Sequence, residues 1–197
     1  MGERILYLVR HGQYQQNHTY TDELGGGLTE LGSEQAWLTA QALVELPIKH
    51  IYTSPLRRAV ETAEVIAGML PGLMPEQVDS LREIVPAIPP HEAEFFARHF
   101  PELTVEKTAA ERRGADIGFD RFFVAAPRDD IHEVLVCHGN IIRYFACRVL
   151  GVPAEVWTNM EVNNCGVTCC TIAPQGRMML VSMNDTGHLP QYLRTFM

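Results

Sequence analysis

Two stretches of this chain share one pattern. ILYLVRHG, Ile5 to Gly12, places Arg10, His11 and Gly12 directly behind five apolar residues, and EVLVCHGN, Glu133 to Asn140, places His138 and Gly139 behind its own apolar run. Runs that are apolar on both faces read as central strands of a parallel sheet. Glycine after each histidine lets the backbone approach a neighbour or ligand closely. In open α/β sheets ligands bind beyond the carboxyl ends of the strands. If the two strands lie side by side, both imidazoles reach one sheet edge.

The rest of the chain supplies the helices such a sheet needs. Residues 4–10 read as the first strand, and Gly12 to Gly27 as loop. Thr29 is expected to cap a helix running to about Leu46, with Leu31, Leu38, Ala42 and Leu46 inward; Pro47 stops it. KHIYTS reads as a short strand, followed by a helix to about Met69 with Ser54 as its N-cap and Pro55 in its first turn. Residues 78–81 read as another strand, 91–99 and 104–126 as helical, and 132–137 as a strand. A helix from Gly139 to Leu150 and strands near 165–173 and 177–183 complete the pattern. Strands alternating with helices indicate an α/β protein, a three-layer α/β/α sandwich around a mostly parallel central sheet. The 197 residues fit a single domain, with the irregular 84–130 region as an insertion or cap.

Composition narrows the partners. A net charge of −8 argues against nucleic acid, because binding a phosphate backbone needs a basic surface. An acidic protein can still hold a small anion where a few cations converge. No apolar run approaches the ~20 residues that span a bilayer, and no secretory leader is recognisable, so a soluble chain without membrane partners is expected. The five cysteines form no zinc pattern, and their odd count suggests reduced thiols in a cytoplasmic setting.

Strand ends bearing Arg10–His11, Ser54 through Arg58, and His138–Asn140 suit phosphoryl transfer, which depends on positioning and on cations around the non-bridging oxygens. Arg10 and Arg58 offer planar forks for phosphate, and Gly139 and Asn140 open a helix whose amides favour an anion. A neutral imidazole can attack phosphorus and hold it covalently, and nearby cations keep its lone pair free. Glu83, in LREIV, is a candidate general acid for the leaving oxygen.

The ordered set RHG, LTELGSEQA, SPLRRAVETA, LRE and CHGNIIR resembles the histidine phosphatase superfamily, whose fold is that of phosphoglycerate mutase. The resemblance implies His11 as nucleophile, His138 as the second phosphate-binding imidazole and Glu83 as the acid. Arg10, Arg58, Asn17 and Gly139 would contact the phosphate, with neither metal nor cofactor. LREIVPAIPP, ERRGADIGFDRFFVAAP, NNCGVT and NDTGHLP are similar to the mitochondrial serine/threonine-phosphatase branch of that superfamily. A metal-independent phosphatase acting on phosphoserine or phosphothreonine in proteins or peptides is therefore expected. Small phosphorylated metabolites are the alternative substrates, and a mutase or an idle phosphate-binding scaffold stands behind them. A homodimer is left open. His188 and Arg143 are further candidates beside the site, and Tyr14 stands where many family members carry a small hydroxyl residue.

Overall fold

A computed structural model describes residues 1–16 and 25–196. Its centre is a six-stranded sheet. In chain order the strands are β1 (Arg4–Arg10), β2 (Ile48–Thr53), β3 (Pro75–Gln77), β4 (Ile131–Cys137), β5 (Val167–Ile172) and β6 (Met178–Asp185). The helices are α1 (Glu30–Leu43), α2 (Arg57–Gly68), α3 (Ala93–His99), α4 (Val105–Phe122) and α5 (Gly139–Leu150). Strand order across the sheet is β3-β2-β4-β1-β5-β6. β1 pairs parallel with β4, as do β2 with β4 and β3 with β2, whereas β5 pairs antiparallel with both β1 and β6. The sheet is mostly parallel, as its sequence pattern predicts.

The period of two along β1 explains the three layers. Leu6 and Leu8 face α4 and α5, packing with Phe119, Phe122, Ile141, Ile142 and Phe145. Val9 faces the other way with Val134 and Val136 of β4, against Ala40 and Leu43 of α1 and Ala59, Ala63 and Ile66 of α2. Full burial of a Leu or Ile contributes about 2–3 kcal/mol. A one-residue slip of β1 would move every one of these side chains to the wrong layer.

Several local expectations change. Leu31, Leu38 and Ala42 do not form the inward face of α1: Gly32, Gln35, Ala36, Thr39, Ala40 and Leu43 do. Small and polar residues are needed there because the helix lies against the loop after β1. A Cβ at Gly32 would sit 1.9 Å from the Gln13 carbonyl oxygen. Thr29 does cap α1, accepting from the Gly32 amide. The strand expected at 78–81 lies earlier, at Pro75–Gln77, and Asp79–Leu81 forms a 3-10 turn that buries Leu81. α4 is one continuous helix that stops at Phe122, capped by Thr104, despite Gly114 and Gly118. Gly118 permits its seat, since a Cβ there would meet the Ser80 carbonyl oxygen at 2.8 Å, whereas Gly114 faces open space.

These glycines should therefore respond oppositely to substitution. Gly118→Ala is expected to cost about 1–3 kcal/mol by overpacking, and Gly114→Ala to add about 0.5–1 kcal/mol through helix propensity. Urea unfolding of the two variants beside wild type measures both.

Candidate active site

The pairing of β1 with β4 sets Arg10 opposite Cys137, and the His11 amide donates to the Cys137 carbonyl at 3.0 Å. Both chains leave the sheet at this level, so the His11 and His138 rings lie 5.1 Å apart, edge towards face. β2 ends beside them: the Ser54 amide donates to the Val136 carbonyl. α2 then carries Arg58 back over the imidazoles.

Hydrogen bonding defines the state of His11. Its Nδ1 lies 2.8 Å from the Gly12 carbonyl oxygen, and Arg58 Nε donates to its Nε2 at 3.1 Å. A carbonyl only accepts and a guanidinium only donates. Nδ1 therefore carries the proton and Nε2 the lone pair, an assignment made from the hydrogen-bond network. Burial, then the charges of Arg58 and Arg10, hold the imidazole well below the ordinary histidine range. The loop is fastened from α2, where Thr62 accepts from the Gly12 amide and donates to the Arg58 carbonyl.

Ser54 does not cap α2, whose N-cap position is Leu56. Its Oγ instead lies 2.7 Å from His138 Nε2 and accepts from the Leu56 amide at 3.3 Å. The hydroxyl orients the second imidazole, leaving buried His138 Nδ1 without a partner among the described residues. Arg10 Nε is likewise buried and unpaired there, while its Nη1 donates to the carbonyls of Val162 and Phe196 at 2.6 and 2.7 Å. Unpaired buried polar atoms are costly. These two lie in the same cluster, as an anion-accepting site requires.

Glu83 follows the 79–81 turn, and its Oε1 accepts from the amides of Ile84, Asn140 and Ile141 at 3.2, 3.2 and 3.4 Å. Burial raises its proton affinity, while the Ile84 amide, Arg10, Arg58 and the Ile141 amide pull it down; the net displacement is upward. The carboxylate thus occupies the α5 amides of Asn140 and Ile141 that the sequence suggested for an incoming anion. The Arg10 guanidinium passes close over Gly139, where a Cβ would stand 3.5 Å from Arg10 Nε, an ordinary contact, so the position places the guanidinium without demanding a glycine. Among the other expected residues, Asn17 lies outside the described residues. His188 bonds Thr39 on α1, and Arg143 donates to Asn140 Oδ1 while stacking on Trp157.

Tyr14 stands beside both His11 and Arg58. Arg58 packs on its ring at 4.7 Å, and the ring meets that of His11 edge-on at 5.3 Å. Gln35 and Asn164 escape a reading of the sequence. Both are fully buried; Gln35 accepts from the Gln13 amide, and Asn164 donates to the His11 carbonyl. Their one sequence signal is a polar residue at a helix position facing inward, which applies to Gln35 alone. Among the described residues no cluster of three or more His, Cys, Asp and Glu is arranged to hold a metal ion, and no helix is long and apolar enough to cross a membrane.

Fold and site together define a phosphoglycerate mutase-like α/β protein with paired imidazoles and guanidiniums at one sheet edge. The model for the histidine phosphatase superfamily (branch 1) matches residues 6–186, and the chain belongs to that superfamily. It is 38% identical over 192 residues to the mitochondrial serine/threonine-protein phosphatase Pgam5 of Caenorhabditis briggsae, covering 94% of this chain and 64% of the relative. It is 35% identical to the human protein of that name, covering 95% and 64%. The chain thus spans just under two thirds of the length of these relatives. A phosphoserine phosphatase from Entamoeba histolytica, solved with 3-phosphoglyceric acid, shares the fold with TM-score 0.72, 24% identity and coverage of 95% and 100%. A phosphoglycerate mutase from Plasmodium falciparum does so with TM-score 0.64, 24% identity and coverage of 97% and 96%. The cytoplasmic expectation is overturned by the relatives' names, which place those proteins in mitochondria. Free thiols suit any reducing compartment, so cysteine count could not discriminate.

The depressed histidines set a pH dependence. His11, His138 and His188 are all displaced downward, each chiefly by burial. The unfolded chain then binds more protons below the ordinary histidine pKa, and stability falls as pH drops below about 6.5, by up to ~1.4 kcal/mol per pH unit for each of the buried His11 and His138 and by less for the half-buried His188. Glu83 acts in the opposite sense, adding stability as pH falls through its raised folded value. Urea unfolding from about pH 7.5 to 5.5 should show the loss, and His138→Gln should flatten the slope.

Proposed function

We propose that this domain is a metal-independent phosphomonoester hydrolase working through a phosphohistidine on His11, with phosphoserine or phosphothreonine in proteins or peptides as substrate. The observation that carries the reading is the locked tautomer of His11. Its Nδ1–H is held by Gly12, so the Nε2 lone pair points towards Arg58, where a phosphate would be clamped.

The chemistry follows from the residues present. An entering phosphate takes over the Arg58 Nε–H from His11 and meets the unpaired Arg10 Nε and His138 Nδ1. With the Ser54 hydroxyl donating to Nε2, His138 Nδ1 is a donor to a phosphate oxygen. His11 Nε2 attacks phosphorus while the bond to the substrate oxygen breaks, and Glu83 supplies the proton that oxygen needs. Water then attacks the phosphohistidine, Glu83 recovers a proton, and inorganic phosphate leaves. The two guanidiniums meet the charge on the non-bridging oxygens, and the Tyr14 ring, edge-on to His11 and under Arg58, holds both groups in place from one side. Within the cap expected at 84–130, α4 is instead part of the core, with Ala115, Phe119 and Phe122 packed beneath the sheet. That leaves the irregular stretch ahead of it, 84–104, as the proposed contact for the group that carries the phosphate. The relatives' names support protein substrates and a mitochondrial setting.

The test is a hydrolysis profile over phosphopeptides, phosphoglycerates and sugar phosphates in EDTA. Phosphopeptides should lead, and His11→Ala should lose at least about 10³-fold. Restoration of an EDTA-silenced enzyme only by a divalent metal would contradict the mechanism; preference for a small metabolite would contradict the substrate. Glu83→Gln separates acid from nucleophile. It should slow phosphoserine peptides by roughly 10²–10⁴-fold and p-nitrophenyl phosphate much less, because that leaving group needs no proton.

A further inference from the structure

Segment 193–196 is fastened to the loop that bears the proposed nucleophile. Gln35 Oε1 accepts from the Gln13 amide at 2.8 Å, and its Nε2 donates to the Leu193 carbonyl at 2.6 Å and to Thr195 Oγ1 at 2.9 Å. Thr195 Oγ1 in turn donates to Asn164 Oδ1 at 2.9 Å, while the Asn164 amide donates to the Thr195 carbonyl at 2.9 Å. Asn164 Nδ2 closes the circuit on the His11 carbonyl at 3.1 Å. One residue further, the Phe196 carbonyl accepts from Arg10 Nη1.

This network allows only one orientation of Gln35. Turning its amide over would set the NH₂ group against the Gln13 N–H and the oxygen against the Leu193 carbonyl. Both amide hydrogens and one lone pair of the oxygen are used inside the protein. Leu193 is buried behind the segment and Arg194 Nε donates to the Leu189 carbonyl, so the strap is anchored from below as well.

The consequence falls on Arg10. Its Nη1 has two hydrogens, and the carbonyls of Val162 and Phe196 take both. The edge left for a ligand is the one formed by Nε and Nη2, whose Nε is buried and unpaired among the described residues. We infer that Gln35 and Thr195 are positioning residues: with Asn164 they fasten segment 193–196 to loop 10–13 and so fix which edge of Arg10 faces the phosphate. The inference rests on the phosphate-site reading above and adds residues to it that do not touch the substrate.

Thr195→Val, Thr195→Ser and Gln35→Glu test it in the full chain. The readouts are inorganic phosphate affinity by calorimetry, kcat and KM on p-nitrophenyl phosphate, and the Arg10 Nε–H signal by NMR. Thr195→Val removes the hydroxyl at constant volume and should weaken phosphate binding about tenfold, raise KM and shift the Arg10 signal, while Thr195→Ser stays within about twofold of wild type. Gln35→Glu keeps the acceptor for Gln13 but puts an oxygen against the Leu193 carbonyl. It should reproduce the loss, and serves as the decisive variant if Thr195→Val does not fold. The Gln35→Glu/Thr195→Val pair should lose little more than the worse single change, because both break one chain of bonds. Equal phosphate affinity and an unmoved Arg10 signal in Thr195→Val and Thr195→Ser would overturn the inference. A wild type that binds phosphate yet hydrolyses nothing would contradict the hydrolase reading instead, with the coupling still decided by affinity and by the Arg10 signal.

Discussion

The parallel pairing of β1 with β4 is the constraint on which the site depends. Its register places Arg10 beside Cys137, and the His11 amide extends the ladder one step past the strand. Two imidazoles then leave the sheet together, in a layer where Leu6, Leu8, Val134, Leu135 and Val136 are completely buried. Burial makes the register rigid, and rigidity lets a carbonyl and a guanidinium dictate one tautomer. Were the strands free to slip, no short-range hydrogen bond could hold His11 in one state.

The electrostatics resolve an apparent mismatch between an acidic chain and an anionic ligand. Net charge is −8, yet Arg10 and Arg58 converge on the imidazoles. Glu83 is the counterweight. It rests on the amides of Asn140 and Ile141 at the positive end of α5, which favours its charged form, while burial favours the neutral one. Burial prevails and raises its proton affinity, so the carboxyl is suited to give a proton to a leaving oxygen, while the amides can hold its charge until it takes one back. The same burial that raises Glu83 lowers both histidines.

Much of this was legible because its signals are local. β1 and β4 are short apolar runs, α5 begins at Gly139 and ends at Leu150 as its pattern indicates, and the ordered motifs named His11, Arg58, Glu83 and His138. The departures arise where a residue answers to a distant partner. Ser54 looks like a helix cap beside Pro55, but His138 claims its hydroxyl. The inward face of α1 avoids the larger Leu31 and Leu38 because a loop backbone, not a side-chain core, lies against Gly32. The partners that Gln35 holds lie between 22 and 160 residues away, and those of Asn164 and Thr195 are similarly remote. No periodicity encodes such bonds.

The strap and the tautomer lock divide the work. Gly12 decides which nitrogen of His11 is free, Thr62 and Arg58 hold that loop from α2, and segment 193–196 orients Arg10 from the opposite side. The most direct measurement is the long-range ¹⁵N NMR spectrum of the His11 ring in the free protein at neutral pH. A neutral ring with its proton on Nδ1 and an unprotonated Nε2 is predicted. An imidazolium, or a neutral ring protonated on Nε2, would contradict the assignment of His11 as nucleophile.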